Sequence, residues 1–180
     1  MRQALNRRQM LGHLGAMGVG ALGLAQPVAS ARARAPEEKL NLAIVGCGGQ
    51  GLENLRQVAG ENIVALCDVD DRRAAEAFKQ HPKARRFRDY RKMLDALERQ
   101  IDAVVVSTPD HMHAPVSLAA MERGKHVYCE KPLTWSINEA RQMARVARAK
   151  GVATQMGTQG MAHDASRAGI EVIRSRRAAR

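Results

Sequence analysis

The sequence predicts an α/β fold: a doubly wound parallel sheet in three α/β/α layers. Short apolar runs alternate with helical patterns six times between residues 40 and 175. Each run is nearly continuous in apolar residues, as in strands covered on both faces, and lacks the alternation of a half-exposed sheet. The chain has 180 residues, 45% hydrophobic and 26% charged. That is enough for one domain with its own core, and it is not the composition of a disordered chain.

The elements follow in order. Leu40 to Val45 is an apolar run ending at glycine, read as the first strand. A helix follows over about 49–59. Ile63 to Cys67 is the second strand. Asp71 to Gln80 is the second helix, ended by Pro82. Arg85 to Phe87 is a brief third strand. Asp89 caps a helix running to about Arg99, with Tyr90, Met93, Leu94 and Leu97 at helical spacing. Ile101 to Ser107 holds the strongest strand, Ala103-Val104-Val105-Val106. Residues 114–123 form a helix stopped by Gly124. Lys125 to Cys129 is the fifth strand. Ser136 caps the longest helix, closed by Gly151. Val152 to Met156 is the sixth strand, and Ser166 to Arg174 the last helix.

Residues 1–35 carry the layout of an export signal. A basic region ends at Arg7-Arg8, and an uncharged stretch follows from Gln9 to Ala31. Its apolar centre, Leu11 to Ala25, contains five glycines, which lower hydrophobicity and helix propensity together. Ala29-Ser30-Ala31 supplies a small-x-small cleavage site. The arginine pair resembles a twin-arginine signal, which predicts the twin-arginine export machinery as a partner and a periplasmic location. No apolar run reaches the roughly 20 residues needed to span a bilayer.

The chain holds 29 basic and 18 acidic side chains, a formal charge of +11. Residues 1–31 contribute Arg2, Arg7 and Arg8 and no acid. The remaining basic residues are scattered. Arg85-Arg86-Arg88, Arg91-Lys92, and Arg141, Arg145 and Arg148 fall on separate elements. Aromatic residues make up only 3%, so there is no stacking platform, and nucleic acid is not an expected partner. Cys47, Cys67 and Cys129 sit near strand ends without a CxxC pair, so buried reduced thiols are expected and no metal site is read.

The chemistry-bearing residues fall at the carboxyl ends of strands, where such sheets bind ligands. Gly46-Cys47-Gly48-Gly49-Gln50-Gly51 matches GxGxxG. It follows a strand, opens a helix, and precedes Asp68 by 17 residues, at the end of the second strand. In that context the motif is the Rossmann dinucleotide fingerprint. Gly46 allows the tight turn, Gly48 lets a pyrophosphate approach the backbone, and Gly51 lets the helix pack close. Free N–H groups around Gly49 and Gln50, with the helix dipole, attract phosphates. Asp68 accepts from the adenosine ribose hydroxyls and repels a 2′-phosphate, which favours NAD over NADP. Arg72 and Arg73 lie just beyond and act in the opposite sense. The fourth strand ends in Ser107-Thr108-Pro109-Asp110-His111-Met112-His113, and the fifth in Cys129-Glu130-Lys131-Pro132-Leu133. A Glu-Lys pair closing a buried strand is costly unless a ligand uses it.

GCGGQG, STPDHMHAP and CEKPL, on three strand ends in that order, resemble the glucose–fructose oxidoreductase, inositol dehydrogenase and rhizopine-catabolism (Gfo/Idh/MocA) family. The resemblance covers roughly residues 40–175. It implies an NAD(P)-dependent oxidoreductase acting on a sugar or polyol. It places Lys131 beside the nicotinamide, at the substrate hydroxyl and its proton. Glu130 then orients Lys131 and the cofactor ribose, and Thr108, Pro109 and His113 line the nicotinamide side, so that Lys131, Glu130 and His113 are the catalytic candidates the resemblance implies. Met156-Gly157-Thr158-Gln159 follows at the mouth of the site. A free lysine, with a pKa of about 10.4, is a poor base at neutral pH. Burial against a cationic nicotinamide brings it toward the useful range.

The resemblance also implies a domain plan: signal over 1–35, dinucleotide-binding domain over 36–160, and the start of a truncated second domain over 161–180. The family's second domain usually brings an Asp-x-x-x-His pair, and no aspartate here has His four residues later. Little or no turnover is therefore expected of this chain alone. A non-catalytic dinucleotide-binding or sensor module is the alternative. A methyltransferase using the same glycine loop is disfavoured by Glu130-Lys131-Pro132.

Overall fold

The computed structural model describes residues 38–177. The signal read over residues 1–35 and the last three residues lie outside them. Six strands form one sheet: β1 (Asn41–Val45), β2 (Asn62–Cys67), β3 (Arg85–Phe87), β4 (Ala103–Val106), β5 (His126–Glu130) and β6 (Thr154–Gly157). All neighbouring pairs are parallel, in the order β3-β2-β1-β4-β5-β6. The order reverses between β1 and β4, which opens a crevice at their carboxyl ends. The helices are α1 (Gln50–Gln57), α2 (Asp71–Gln80), α3 (Tyr90–Leu97), α4 (His113–Glu122), α5 (Ile137–Lys150), α6 (Gln159–Ala162) and α7 (Asp164–Arg177).

Alternate residues of the central strands feed two cores. Ala43, Val45, Val104 and Val106 pack on one face with Met93, Leu94, Leu97, Val116 and Met121 of α3 and α4. Leu42, Ile44, Leu66 and Val105 pack on the other with Leu55 of α1 and Ala74, Ala77 and Phe78 of α2. Both faces are apolar because both are covered, which is why the strands read as continuous apolar runs.

Helix starts follow side-chain capping. Asp70 Oδ1 accepts from the N–H groups of Arg72 (2.9 Å) and Arg73 (3.4 Å) ahead of α2. Those two N–H groups hold the Asp70 carboxyl below its ordinary pKa. Asp89 Oδ1 accepts from Arg91 N–H at 2.9 Å ahead of α3. Ser136 and Glu139 form a reciprocal capping box at α5, which ends at Gly151 with φ of 64°.

Three features differ from expectation. The covered-sheet reading holds at the centre but not at β6, where Thr154, Gln155 and Met156 are exposed. A turn of 3-10 helix, Asp110–Met112, precedes α4. The last helical region starts earlier and runs longer, as α6 and α7. Ile170, Val172 and Ile173 of α7 are exposed, so packing within the described residues does not fix its bounds. Cys47, Cys67 and Cys129 are buried free thiols, as expected. Burial, with the charge of Asp68, pushes Cys47 and Cys67 up to about 12, which keeps both protonated at neutral pH. Among the described residues no helix is long and apolar enough to cross a membrane.

Candidate functional site

The glycine loop joins β1 to α1 against two neighbouring strand ends. Gly46 has φ of +85°, and a Cβ there would stand 2.5 Å from Ser107 O, so only glycine fits both the turn and the approach to β4. A Cβ on Gly51 would stand 1.8 Å from Gly46 O, which forces the helix against its own loop. Gly48 was expected to clear space for a pyrophosphate. Its bareness also lets the loop lie on α2, since a Cβ would stand 3.0 Å from both Cβ and O of Arg73. The N–H groups of Gly48 and Gly49 meet no backbone acceptor among the described residues. They stand at the positive end of α1, beside Gln50.

Asp68 ties this loop to β2. Its Oδ2 accepts from Cys47 N–H at 2.7 Å, and its Oδ1 from Asp70 N–H at 2.9 Å. Each carboxylate oxygen retains a second lone pair. A cavity of about 710 Å3 opens here, walled by Gly46, Gly48, Gln50, Asp68, Arg73, Thr108 and Pro109, among others. It spans the ends of β1, β2 and β4, where a dinucleotide is expected. Of the two arginines, Arg73 lines the cavity. The Arg72 side chain is 95% exposed and sits 3.6 Å from Asp70. Thr108 Oγ1 is shielded from solvent and has no hydrogen-bond partner, so the wall holds an unused polar group. The glycine cradle, the paired Asp68 and this hydroxyl fit a dinucleotide. A second cavity, about 600 Å3, lies between α2 and β3, away from the central strand ends. Three of its charged side chains are already engaged: Arg86 donates to Phe78 O at 3.2 Å, and Arg88 pairs with Asp71 at 2.7 Å.

The ends of β4 and β5 meet through His113. It is 1% exposed, with Nδ1 2.6 Å from Pro132 O and Nε2 2.8 Å from Thr108 O. Both ring nitrogens thus face backbone carbonyl oxygens. The structure places His113 as a clip between the two loops, behind the wall on which it was expected to act. The Lys131-Pro132 peptide is cis, and Lys131 is exposed.

Glu130 is buried at 5% exposure. Its Oε1 accepts from Asn54 Nδ2 and Gln159 Nε2, each at 2.8 Å, and from Tyr128 OH at 3.3 Å. Burial, with the Glu130 charge, raises the Tyr128 phenol above its ordinary range, so it stays a donor. A Cβ on Gly157 would stand 2.7 Å from Glu130 Oε1, so β6 approaches this carboxylate closely. Sequence reasoning missed Asn54 altogether. A signal was present: the buried residues of α1 are Gly51, Asn54 and Leu55, so one polar residue lies on the packing stripe.

The glycine loop, the acidic β2 end and the Glu-Lys-Pro turn thus converge at one sheet edge. The profile described as "Oxidoreductase family, NAD-binding Rossmann fold" (GFO_IDH_MocA) matches residues 40–158. The chain belongs to the Gfo/Idh/MocA oxidoreductase family. Among curated relatives, inositol 2-dehydrogenase 2 of Saccharopolyspora erythraea is 38% identical over 98 residues, 52% of this chain and 28% of the relative. A glycosyl hydrolase family 109 protein of Solibacter usitatus is 33% identical over 163 residues, 80% of this chain and 36% of the relative. Among solved structures, myo-inositol 2-dehydrogenase from Lactobacillus plantarum superposes with a TM-score of 0.67 at 27% identity, covering 77% of this chain and 42% of that one. GenD2 from gentamicin A biosynthesis, in complex with NAD, superposes with a TM-score of 0.60 at 29% identity, covering 67% and 34%. The chain spans about a third of the length of the curated relatives it matches.

Proposed function

We propose that this chain is the dinucleotide-binding part of an oxidoreductase that acts on a hydroxyl of a sugar or polyol ring. The observation that carries the reading is the pairing of a glycine-cradled cavity with a buried carboxylate, Glu130, beside an exposed lysine, Lys131. Relatives named for inositol and for glycosides share a polyhydroxylated ring as substrate class. When bound, the nicotinamide dinucleotide supplies the hydride acceptor.

The chain's own residues do the rest. Gly46, Gly48, Gly49, Gln50 and Gly51 take the pyrophosphate at the start of α1. Asp68 takes the adenosine ribose, and its charge disfavours a 2′-phosphate, so NAD is preferred to NADP. Thr108 and Pro109 form the wall toward the nicotinamide. Glu130 holds the nicotinamide ribose, and Lys131 hydrogen-bonds the substrate hydroxyl and holds its proton. His113 acts by fixing the loops of Thr108 and Pro132 relative to each other.

Turnover by this chain alone is proposed to be small, because Lys131 and the β6 edge lie open to water among the described residues, and water weakens every charge interaction in the site. The check is absorbance at the reduced-nicotinamide band with the purified chain, NAD and a panel of inositols and pyranoses. The expected trace is flat or nearly so. Sustained dinucleotide reduction with any of these substrates contradicts the low-turnover proposal.

Export to the periplasm by the twin-arginine route is proposed from Arg7-Arg8 and the Gly-rich stretch that follows. Replacing the pair with Lys-Lys is expected to strand the protein in the cytoplasm. Unchanged fractionation of that variant contradicts this route.

A further inference from the structure

Asn54 stands where three separate pieces of the site meet. It is 7% exposed, on the packing stripe of α1. Its Nδ2 donates to Ser107 Oγ at 2.9 Å, at the end of β4, and to Glu130 Oε1 at 2.8 Å, at the end of β5. Its Oδ1 accepts from Gln50 Nε2 at 3.0 Å, at the start of α1. A carboxylate can only accept, so the amide nitrogen must face Glu130, and both of its hydrogens are then used. Three donors converge on Glu130 Oε1, from Asn54, Gln159 and Tyr128. None of them bonds Oε2. The carboxylate is therefore held by one oxygen, and the other keeps its acceptor capacity.

We propose that Asn54 is a positioning residue. It sets the orientation of Glu130. This rests on the proposal that Glu130 holds the nicotinamide ribose. Asn54 itself does not line the cavity. Its effect should thus be confined to the nicotinamide half, with the adenosine half bound by Asp68 and the loop glycines as before.

ADP keeps the adenosine and both phosphates but lacks the nicotinamide and its ribose, so it separates the two halves. The test is calorimetric titration of the 180-residue chain with NAD and with ADP, each variant first shown to unfold cooperatively. Asn54→Asp removes both donors and sets a second carboxylate against Glu130. It is expected to weaken NAD by about ten-fold, as for a lost charged hydrogen bond, while ADP changes by less than about two-fold. Asn54→Ala removes the donors without adding charge and guards against a failure of Asn54→Asp to fold. It is expected to lower the preference for NAD in the same direction. In the double variant Asn54→Asp/Glu130→Gln, the NAD preference should match that of Glu130→Gln alone, because Asn54 acts only through Glu130.

Equal loss of both ligands in the Asn54 variants makes Asn54 a structural residue of α1 and overturns the inference. So does additivity in the double variant. If Glu130→Gln removes the NAD preference and the Asn54 variants keep it, the inference alone fails. If the unsubstituted chain binds ADP as tightly as NAD, the role of Glu130 fails and takes the inference with it.

Discussion

Gly51→Ala is expected to abolish dinucleotide binding and to destabilise the chain by about 3 kcal/mol. The added Cβ would stand 1.8 Å from Gly46 O and 2.8 Å from Gly46 C. Both are backbone atoms of the loop, so no rotamer change relieves the contact. Either α1 withdraws from β1 or the Gly46 turn opens, and each breaks the cradle. Gly60→Ala is the matched control, because a Cβ there meets nothing within 4 Å. Urea unfolding and NAD titration of the two variants should diverge sharply. Near-normal binding by Gly51→Ala would show that the loop does not hold the pyrophosphate.

Asp68→Ala is expected to raise the dissociation constant for NAD at least about ten-fold and to lower stability by about 1–3 kcal/mol. Two N–H groups lose their acceptor, and one belongs to Cys47, which is fully buried. The glycine loop then loses one of its ties to β2, keeping the Gly46 N–H bond to Cys67 O, at the same time as the ribose loses its acceptor. Asp68→Asn separates these effects. It keeps one acceptor oxygen and removes the charge, so it should lie between the two in stability. Its affinity for NADP should rise relative to NAD, since Arg73 then faces a 2′-phosphate without an opposing carboxylate. Titration with both dinucleotides checks this. An unchanged NADP-to-NAD ratio would show that Asp68 does not select the cofactor.

The strand ends were legible in the sequence because they combine patterns of different kinds. The glycine loop shows itself by following an apolar run and opening a helix, and Asp68 by closing the next run. α2 matches its expected span, and α5 its expected caps, because Asp70, Ser136 and Gly151 are local signals that packing does not override. The internal wiring was not legible. Asp68 looks like a ribose ligand from spacing, but its bond to Cys47 depends on how β1 and β2 lie side by side. His113 looks like a catalytic group in its motif. Its engagement by Thr108 O and Pro132 O is set by the β4–β5 pairing, which brings together loops 19 residues apart. Asn54 and Gly157 are marked by contacts across several strands, which no local pattern carries. The exposure of β6 was missed for a related reason. Its position at the sheet edge follows from strand order, and composition does not show it.

Calorimetric titration of the folded chain with NAD tests the central claim most directly. The account predicts a saturable isotherm of one dinucleotide per chain, kept in Gly60→Ala and lost in Gly51→Ala. A chain that unfolds cooperatively yet gives no saturable heat with NAD or NADP would contradict it.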